Sequence, residues 1–326
     1  MAHGFRFYLY TQLCYNTSMQ RQDFSVKSAA DGLVLNIVVM VPDVQVRGIV
    51  QFSHGMAEHK ERYFEFMEHL VAQGFVAAIH DHRGHGESVL NPEDLGYFYD
   101  KDGSAIVEDL HQITLKLKEL FPSVPVVLFG HSMGSLVVRS YVKKYDDEID
   151  KLVVCGAPGN NPLTGAALAI VSLLNVFYGE RHRSELIQNL AFGSYNKQVG
   201  EVELENGWLC AKKDVVHSYN SDELCGFTFT LNGFKNLFSL LKTVYSKKGW
   251  NLGNPDLPIL FIAGEKDPVI LGEKGWYNAQ EFMRSCGYKD VKGCLYDDMR
   301  HEILNEEKRE LVYSDVVNWI DGKLDV

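Results

Sequence analysis

No stretch of the chain approaches the roughly twenty apolar residues that a helix needs to cross a bilayer, so no membrane-spanning helix is expected. There is no internal repeat and no low-complexity linker, which argues against solenoids and disordered arrays. The six cysteines, Cys14, Cys155, Cys210, Cys225, Cys286 and Cys294, form no CxxC pair, and their spacing gives no zinc motif. Thiols scattered over 326 residues point to a reducing compartment, taken here as the cytoplasm, though bridges stay open. Basic charge is in deficit: 32 Lys and Arg stand against 43 Asp and Glu, a formal net charge of -11. Such a surface does not attract nucleic acid or anionic lipid as a whole. The local group Arg181, His182 and Arg183 reads as a solvated loop. The opening "MAHGFRFYLYTQLCYNTS" lacks a charged start, a clean apolar stretch and a small-residue cleavage site, so no signal peptide is expected. It is expected to pack as an extra strand or helix, and the sequon at Asn16 then carries no meaning.

What the chain does have is core material, with 46% hydrophobic and 12% aromatic residues. Short Val/Ile/Leu/Phe runs at 35–41, 48–53, 76–79, 126–129, 152–155, 259–263 and 291–296 read as strands, several of them covered on both faces. Helical patterns at 62–73, 104–121, 135–144, 274–286 and 306–320 alternate with them. This alternation predicts an α/β fold with a mostly parallel sheet and helices on both faces. It breaks once. Between about 160 and 254 there are helical patterns, at 163–177, 184–192 and 233–246, and no convincing core strand. The expected organisation is therefore a core over 1–159, with about 30 unassigned N-terminal residues, a helical cap insertion over 160–254, and the rest of the core over 255–326.

The chemistry concentrates where a strand turns into a helix. "GHSMG", Gly130 to Gly134, fits G-x-S-x-G, the pattern of a nucleophile elbow. A serine at such a turn takes a strained backbone, and the flanking glycines let strand and helix approach. A serine hydroxyl needs a base, and the base needs a carboxylate to orient it. Of the twelve histidines, His301 follows the last strand candidate, in "DDMRHEILNE". Asp267, in "ILFIAGEKDPV", follows a strand and a glycine turn; Asp297 and Asp298 sit too near His301 in sequence to reach its far side. An acyl reaction also needs donors for an oxyanion. The N–H of Met133 follows the serine, and the N–H of Met56 follows "SHG" after an earlier strand.

Together these segments resemble the monoacylglycerol lipase and lysophospholipase group of serine α/β-hydrolases. "HGMAEHKERY" is similar to that group's HGxxEHxxRY, "HDHRGHGES" to its DHxGHGxS, and "GHSMGS" to its GHSMGG, with Ser135 replacing a glycine. "GEKDPV", "RHEILNE" and, in the insertion, "DELCGFTFTLNGF" extend the likeness. The resemblance implies an α/β-hydrolase fold, with Ser132 as nucleophile, His301 as base and Asp267 as orienter. It gives the Met56 and Met133 amides as the oxyanion hole. Glu58, Arg62, Tyr63, Asp81, Arg83 and His85 fall on its positions as loop-bracing residues, and no metal or organic cofactor is implied.

The substrate expected is a single-chain lipid or other small ester. The insertion's "LTGAALAIVSLLNVFYG" is apolar on nearly every face, and Phe227, Phe229 and Phe234 are candidate substrate contacts. The apolar segment is read as a tunnel wall, as transient contact with a lipid surface, or as packing within the cap. Two alternatives stay open: a serine aminopeptidase, needing a carboxylate grip such as Glu201, Glu203 or Glu205, and a non-catalytic hydrolase-fold binding protein. The oligomeric state is not legible.

Overall fold

β-branched and aromatic runs extend because their side chains pack well on a pleated surface. In the computed structural model, which describes residues 8–10, 19–201 and 203–324, every such run of the core is a strand. In chain order the first elements are β1 (Tyr8–Tyr10), β2 (Met19–Lys27), β3 (Val34–Pro42), β4 (Gly48–Ser53), α1 (Phe64–Ala72), β5 (Phe75–His80) and α2 (Ser104–Leu120). Then follow β6 (Val126–His131), α3 (Met133–Tyr145) and β7 (Lys151–Cys155). Five helices come next: α4 (Thr164–Tyr178), α5 (Glu185–Phe192), α6 (Tyr195–Gln198), α7 (Lys213–Ser221) and α8 (Leu231–Val244). The chain returns through β8 (Ile259–Gly264), α9 (Gly272–Cys286), β9 (Val291–Tyr296) and α10 (Arg309–Ile320).

The nine strands form one sheet in the order β1-β2-β3-β5-β4-β6-β7-β8-β9. From β5 through β9 all neighbours run parallel, while β1, β2 and β3 pair antiparallel at one edge. Each face carries its own core. On one, Ile106 and Leu110 of α2, Leu136 of α3, Leu240 of α8 and Met283 of α9 pack with Ile49 and Leu128. On the other, Phe66 and Leu70 of α1 and Val312 and Tyr313 of α10 cover Phe52 and Phe129. β4 lies between β5 and β6, so the strand order reverses there. Such reversals open a crevice at the carboxyl ends of the strands, and the motif loops emerge into it.

The expected extra strand at the N-terminus is present in part: β1 pairs with β2, which pairs with β3 along its whole length, while Cys14 and Asn16 lie outside the described residues. Arg181, His182 and Arg183 are exposed, as expected of a solvated loop, but the two arginines are also engaged. Arg181 pairs with Asp94, and Arg183 donates to the Glu93 and Leu95 carbonyls at 2.9 and 2.8 Å. They tie the segment between α4 and α5 to the loop after β5. The five described cysteines are free thiols, and among the described residues no helix is long and apolar enough to cross a membrane.

Candidate active site

β6 delivers Ser132 to the mouth of the crevice, and α3 begins at the next residue. Ser132 sits at φ 54° and ψ -117°, a conformation costing about 1–3 kcal/mol outside glycine. The geometry explains the glycines. A Cβ on Gly130 would lie 2.5 Å from Val138 Cγ2 and from the Gly134 carbonyl oxygen; one on Gly134 would overlap the carbonyl of Ser53 at the end of β4. Strand β4 and helix α3 can therefore touch, which brings the loop after β4 beside the serine. A Cβ built on Gly55 would be 3.3 Å from Ser132 Cβ.

That loop is held from behind. His54 bridges it, with Nδ1 2.8 Å from the Gly55 carbonyl and Nε2 accepting from the His82 N–H at 2.9 Å. His54, His80, His82 and His85 are all buried with their rings close together, and burial pushes His54 down to about 4 and His80 and His85 to about 3. They are neutral packing groups. Glu58 accepts from the Gly55 N–H and, at 2.8 Å, from the Tyr63 hydroxyl. Arg62 lies between Glu58, at 3.1 Å, and Glu302. Asp81 accepts from the Lys60 N–H at 2.9 Å, and the fully buried Arg83 donates to Asp109 at 2.7 Å and Asp31 at 2.9 Å. The motif residues outside the serine turn thus brace backbone.

The carboxylate and the imidazole meet at the other side of the crevice. Asp267 follows β8 and His301 follows β9; both are buried, and His301 Nδ1 lies 2.8 Å from Asp267 Oδ2. The second carboxylate oxygen accepts from the Val269 N–H at 2.8 Å, which fixes the plane of the group. Asp298 instead pairs with Lys266. His301 presents its remaining nitrogen, Nε2, away from Asp267, and His301 and Ser132 line the same cavity. Met56 and Met133 line it too. His131 sits behind, with Nδ1 3.0 Å from the Tyr63 hydroxyl and Nε2 3.2 Å from the His301 carbonyl. Burial opposes its charge, yet the Glu58 carboxylate raises its pKa above the usual histidine value.

The cavity has a volume of about 450 Å³ and is mostly apolar. Leu136 and Val269 come from the core; Thr164, Ala167, Ile170, Leu190 and Phe192 come from the helices between β7 and β8. Of the aromatic candidates, Phe227 lines it together with Phe238. Phe229 and Phe234 do not: both are fully buried behind it, where Phe229 packs on Phe98 and His85. Neither is Glu201, Glu203 or Glu205 in the lining. Trp208 escaped the sequence reading. Its ring centre is 5.1 Å from that of His301, and the adjacent Leu209 carbonyl accepts from the Glu302 N–H at 2.7 Å. It stands alone in a loop, without periodicity or motif to mark it. Helix α4 does not form packed core on all sides either. Val171 is its one buried residue, and Leu173, Val176 and Phe177 face solvent at 59%, 80% and 73% exposure.

The family described as serine aminopeptidase, S33, matches residues 44–308, most of the chain and all of this site. The chain belongs to that family. The chain is 27% identical over 286 residues to the monoacylglycerol lipase of Mycolicibacterium smegmatis, covering 88% of this chain and 92% of the relative. It is 24% identical over 313 residues to the human monoglyceride lipase, covering 94% and 93%. Its fold superposes on a thermostable carboxyl esterase from Bacillus coagulans, solved with glycerol, at a TM-score of 0.86 and 26% identity. That match covers 93% of this chain and 98% of the esterase. The α/β-hydrolase fold and the likeness to the monoacylglycerol lipase and lysophospholipase group therefore hold for the family member described here.

Proposed function

We propose that this chain is a serine carboxylic ester hydrolase of the monoacylglycerol lipase and lysophospholipase type, with Ser132, His301 and Asp267 as its catalytic residues. The observation that carries the reading is the 2.8 Å bond between His301 Nδ1 and Asp267 Oδ2 at the wall of the cavity that Ser132 also lines. Asp267 holds the imidazole in the tautomer whose Nε2 is free to take a proton. Ser132 Oγ attacks the ester carbonyl as His301 removes its proton. The oxyanion is met by the N–H groups of Met56 and Met133, the latter at the positive N-terminus of α3. Collapse breaks the ester C–O bond, and His301 returns the proton to the departing alcohol. Water then attacks the acyl-serine, again through His301, and releases the acid. No cofactor takes part.

The residues from 160 to 254 serve as the cap, and the acyl chain of a single-chain lipid occupies the apolar cavity between cap and core. Phe227 and Phe238 form part of its wall. The exposed apolar face of α4 supports a transient contact with a lipid surface, where such substrates reside. The free thiols fit a cytoplasmic location.

One observation favours a second reading. The family takes its description from aminopeptidases, which would grip a substrate amine with a carboxylate. Here the carboxylates among the described lining residues are Glu58 and Glu302, and both are paired with Arg62. That pairing supports the ester reading. A panel of monoacylglycerols, lysophospholipids, short aryl esters and aminoacyl amides decides between them. The ester reading expects turnover of the first three classes; preference for the amides would overturn it. Labelling by a fluorophosphonate, expected for the wild type and lost in Ser132→Ala, separates both from a binding protein.

A further inference from the structure

Outside the cavity the fold gathers a second set of reactive side chains. His59 lies in the loop after β4, just past Ala57, while Asp222 and Cys225 lie in the turn after α7. One ligand-type atom from each of the three falls within 4.8 Å of the others. With His59 and Asp222 163 positions apart, no sequence spacing could have shown the group.

The arrangement has the features of a ligand shell rather than of a single ion pair. His59 Nε2 lies 2.9 Å from Asp222 Oδ2, while its other ring nitrogen, Nδ1, is bonded to Glu61. A carboxylate on the far nitrogen is the usual outer partner of a metal-bound histidine; it fixes the ring's direction and raises its basicity. Asp222 Oδ1 is occupied by the Leu224 N–H at 2.9 Å, which aims Oδ2 at the ring. Cys225 is buried and free. The nearby guanidinium of Arg62 is already paired with Glu58 and Glu302.

We propose that His59 Nε2, Asp222 Oδ2 and Cys225 Sγ form a divalent-metal site of the zinc type that joins the cap to the oxyanion loop. A thiolate, an imidazole and a carboxylate together select zinc over magnesium or calcium. Zinc bonds of about 2.0–2.3 Å set tetrahedral ligand atoms roughly 3.3–3.7 Å apart, so the ion would part His59 Nε2 and Asp222 Oδ2, now 2.9 Å apart, and hold Cys225 Sγ, already within 4.8 Å of both, with water completing the tetrahedron. Without metal, His59 meets a carboxylate at each ring nitrogen, Glu61 at Nδ1 and Asp222 at Nε2, the arrangement of a doubly protonated ring. Metal binding sends the Nε2 proton and the thiol proton to solvent; Asp222 is already ionised. The same turn grips the loop that carries Met56. The Gly226 N–H and the Tyr219 hydroxyl both donate to the Ala57 carbonyl at 2.9 Å, and Ala57 holds a left-handed φ of 52°. An ion at the cluster stiffens this contact between cap and core.

The test is a Co²⁺ titration of the full chain, kept reduced with a phosphine and followed by absorption. The site predicts a sulfur-to-cobalt charge-transfer band and strong tetrahedral visible bands that saturate at one ion per chain and vanish on addition of Zn²⁺. Cys225→Ser removes the charge-transfer band. Glu61→Gln, which leaves all three ligands in place, weakens Co²⁺ binding by about tenfold to a hundredfold. Circular dichroism establishes that each variant is folded; if Cys225→Ser is not, Asp222→Asn at the half-exposed carboxylate replaces it, with affinity expected to fall at least as far. Absence of a saturating sulfur band overturns the proposal. So does a band that persists in Cys225→Ser, or an affinity unchanged in Glu61→Gln and Asp222→Asn.

Discussion

Two glycines and a strained serine decide how close β4 and α3 approach, and that approach decides whether the Met56 loop reaches Ser132. Gly134→Ala places a methyl group against the Ser53 carbonyl, which cannot give way without moving β4. The expected loss of stability is about 3 kcal/mol or more, read as a lowered urea midpoint; a loss under about 1 kcal/mol would contradict the packing. Asp267→Asn keeps the shape of the acid but no longer stabilises the imidazolium or selects its tautomer. It should lower kcat by about a thousandfold or more, with KM changing little. A loss below about tenfold would assign the orienting role elsewhere. Ser132, His301 and Asp267 were legible because each lies in a short motif at a strand end. Trp208 and the split between Phe227 and its neighbours Phe229 and Phe234 were not. Aromatic content marks apolar surface, and only the packing of α8 on the core decides which ring faces the cavity.

Elements were legible in proportion to their burial. Strands with both faces covered are continuous apolar runs, and the segment at 48–53 coincides with β4, buried at every position. β2 escaped because "MQRQDFSVK" is half-buried, next to the short edge strand β1, and shows no such run. Short helices α6 and α7 escaped because few of their residues are buried. Helix α4 was seen in sequence, but its all-round apolarity does not say what covers it. One side faces the cavity and the other faces solvent. Replacing Leu173, Val176 and Phe177 with serine should leave the fold and the hydrolysis of a short soluble ester intact. It should reduce co-sedimentation with neutral phosphatidylcholine vesicles several-fold or more. Equal binding of variant and wild type, or none by the wild type, would contradict the surface role of α4.

Across the whole molecule, the parallel sheet was legible from the strand and helix alternation, but the spatial meeting of distant loops was not. The histidine cluster is the clearest case. His54, His82 and His85 sit in motifs, yet nothing in the sequence says that they share one buried space with His80. Burial depresses all four below the ordinary histidine value. The unfolded chain takes up their protons below about pH 6.5, while the folded chain keeps them neutral to about pH 4. The unfolded state therefore binds more protons in this window, and stability falls as the pH falls. Each histidine contributes a slope of about 1.4 kcal/mol per pH unit. His131 has the opposite sign. Its raised pKa adds stability that is fully present below about pH 6.5 and lost as the pH rises, so it does not offset the acid loss. Urea midpoints should drop steeply from about pH 6.5 to 4, and less steeply in His80→Gln; a flat profile would contradict the cluster's neutral state. The most direct test of the central claim is intact-mass and peptide mapping of the chain quenched during turnover of a slow aryl ester. The account predicts one acyl group per chain, carried on Ser132, appearing in a burst with the released phenol and absent from Ser132→Ala. An adduct on another residue, or undiminished turnover by Ser132→Ala, would contradict it.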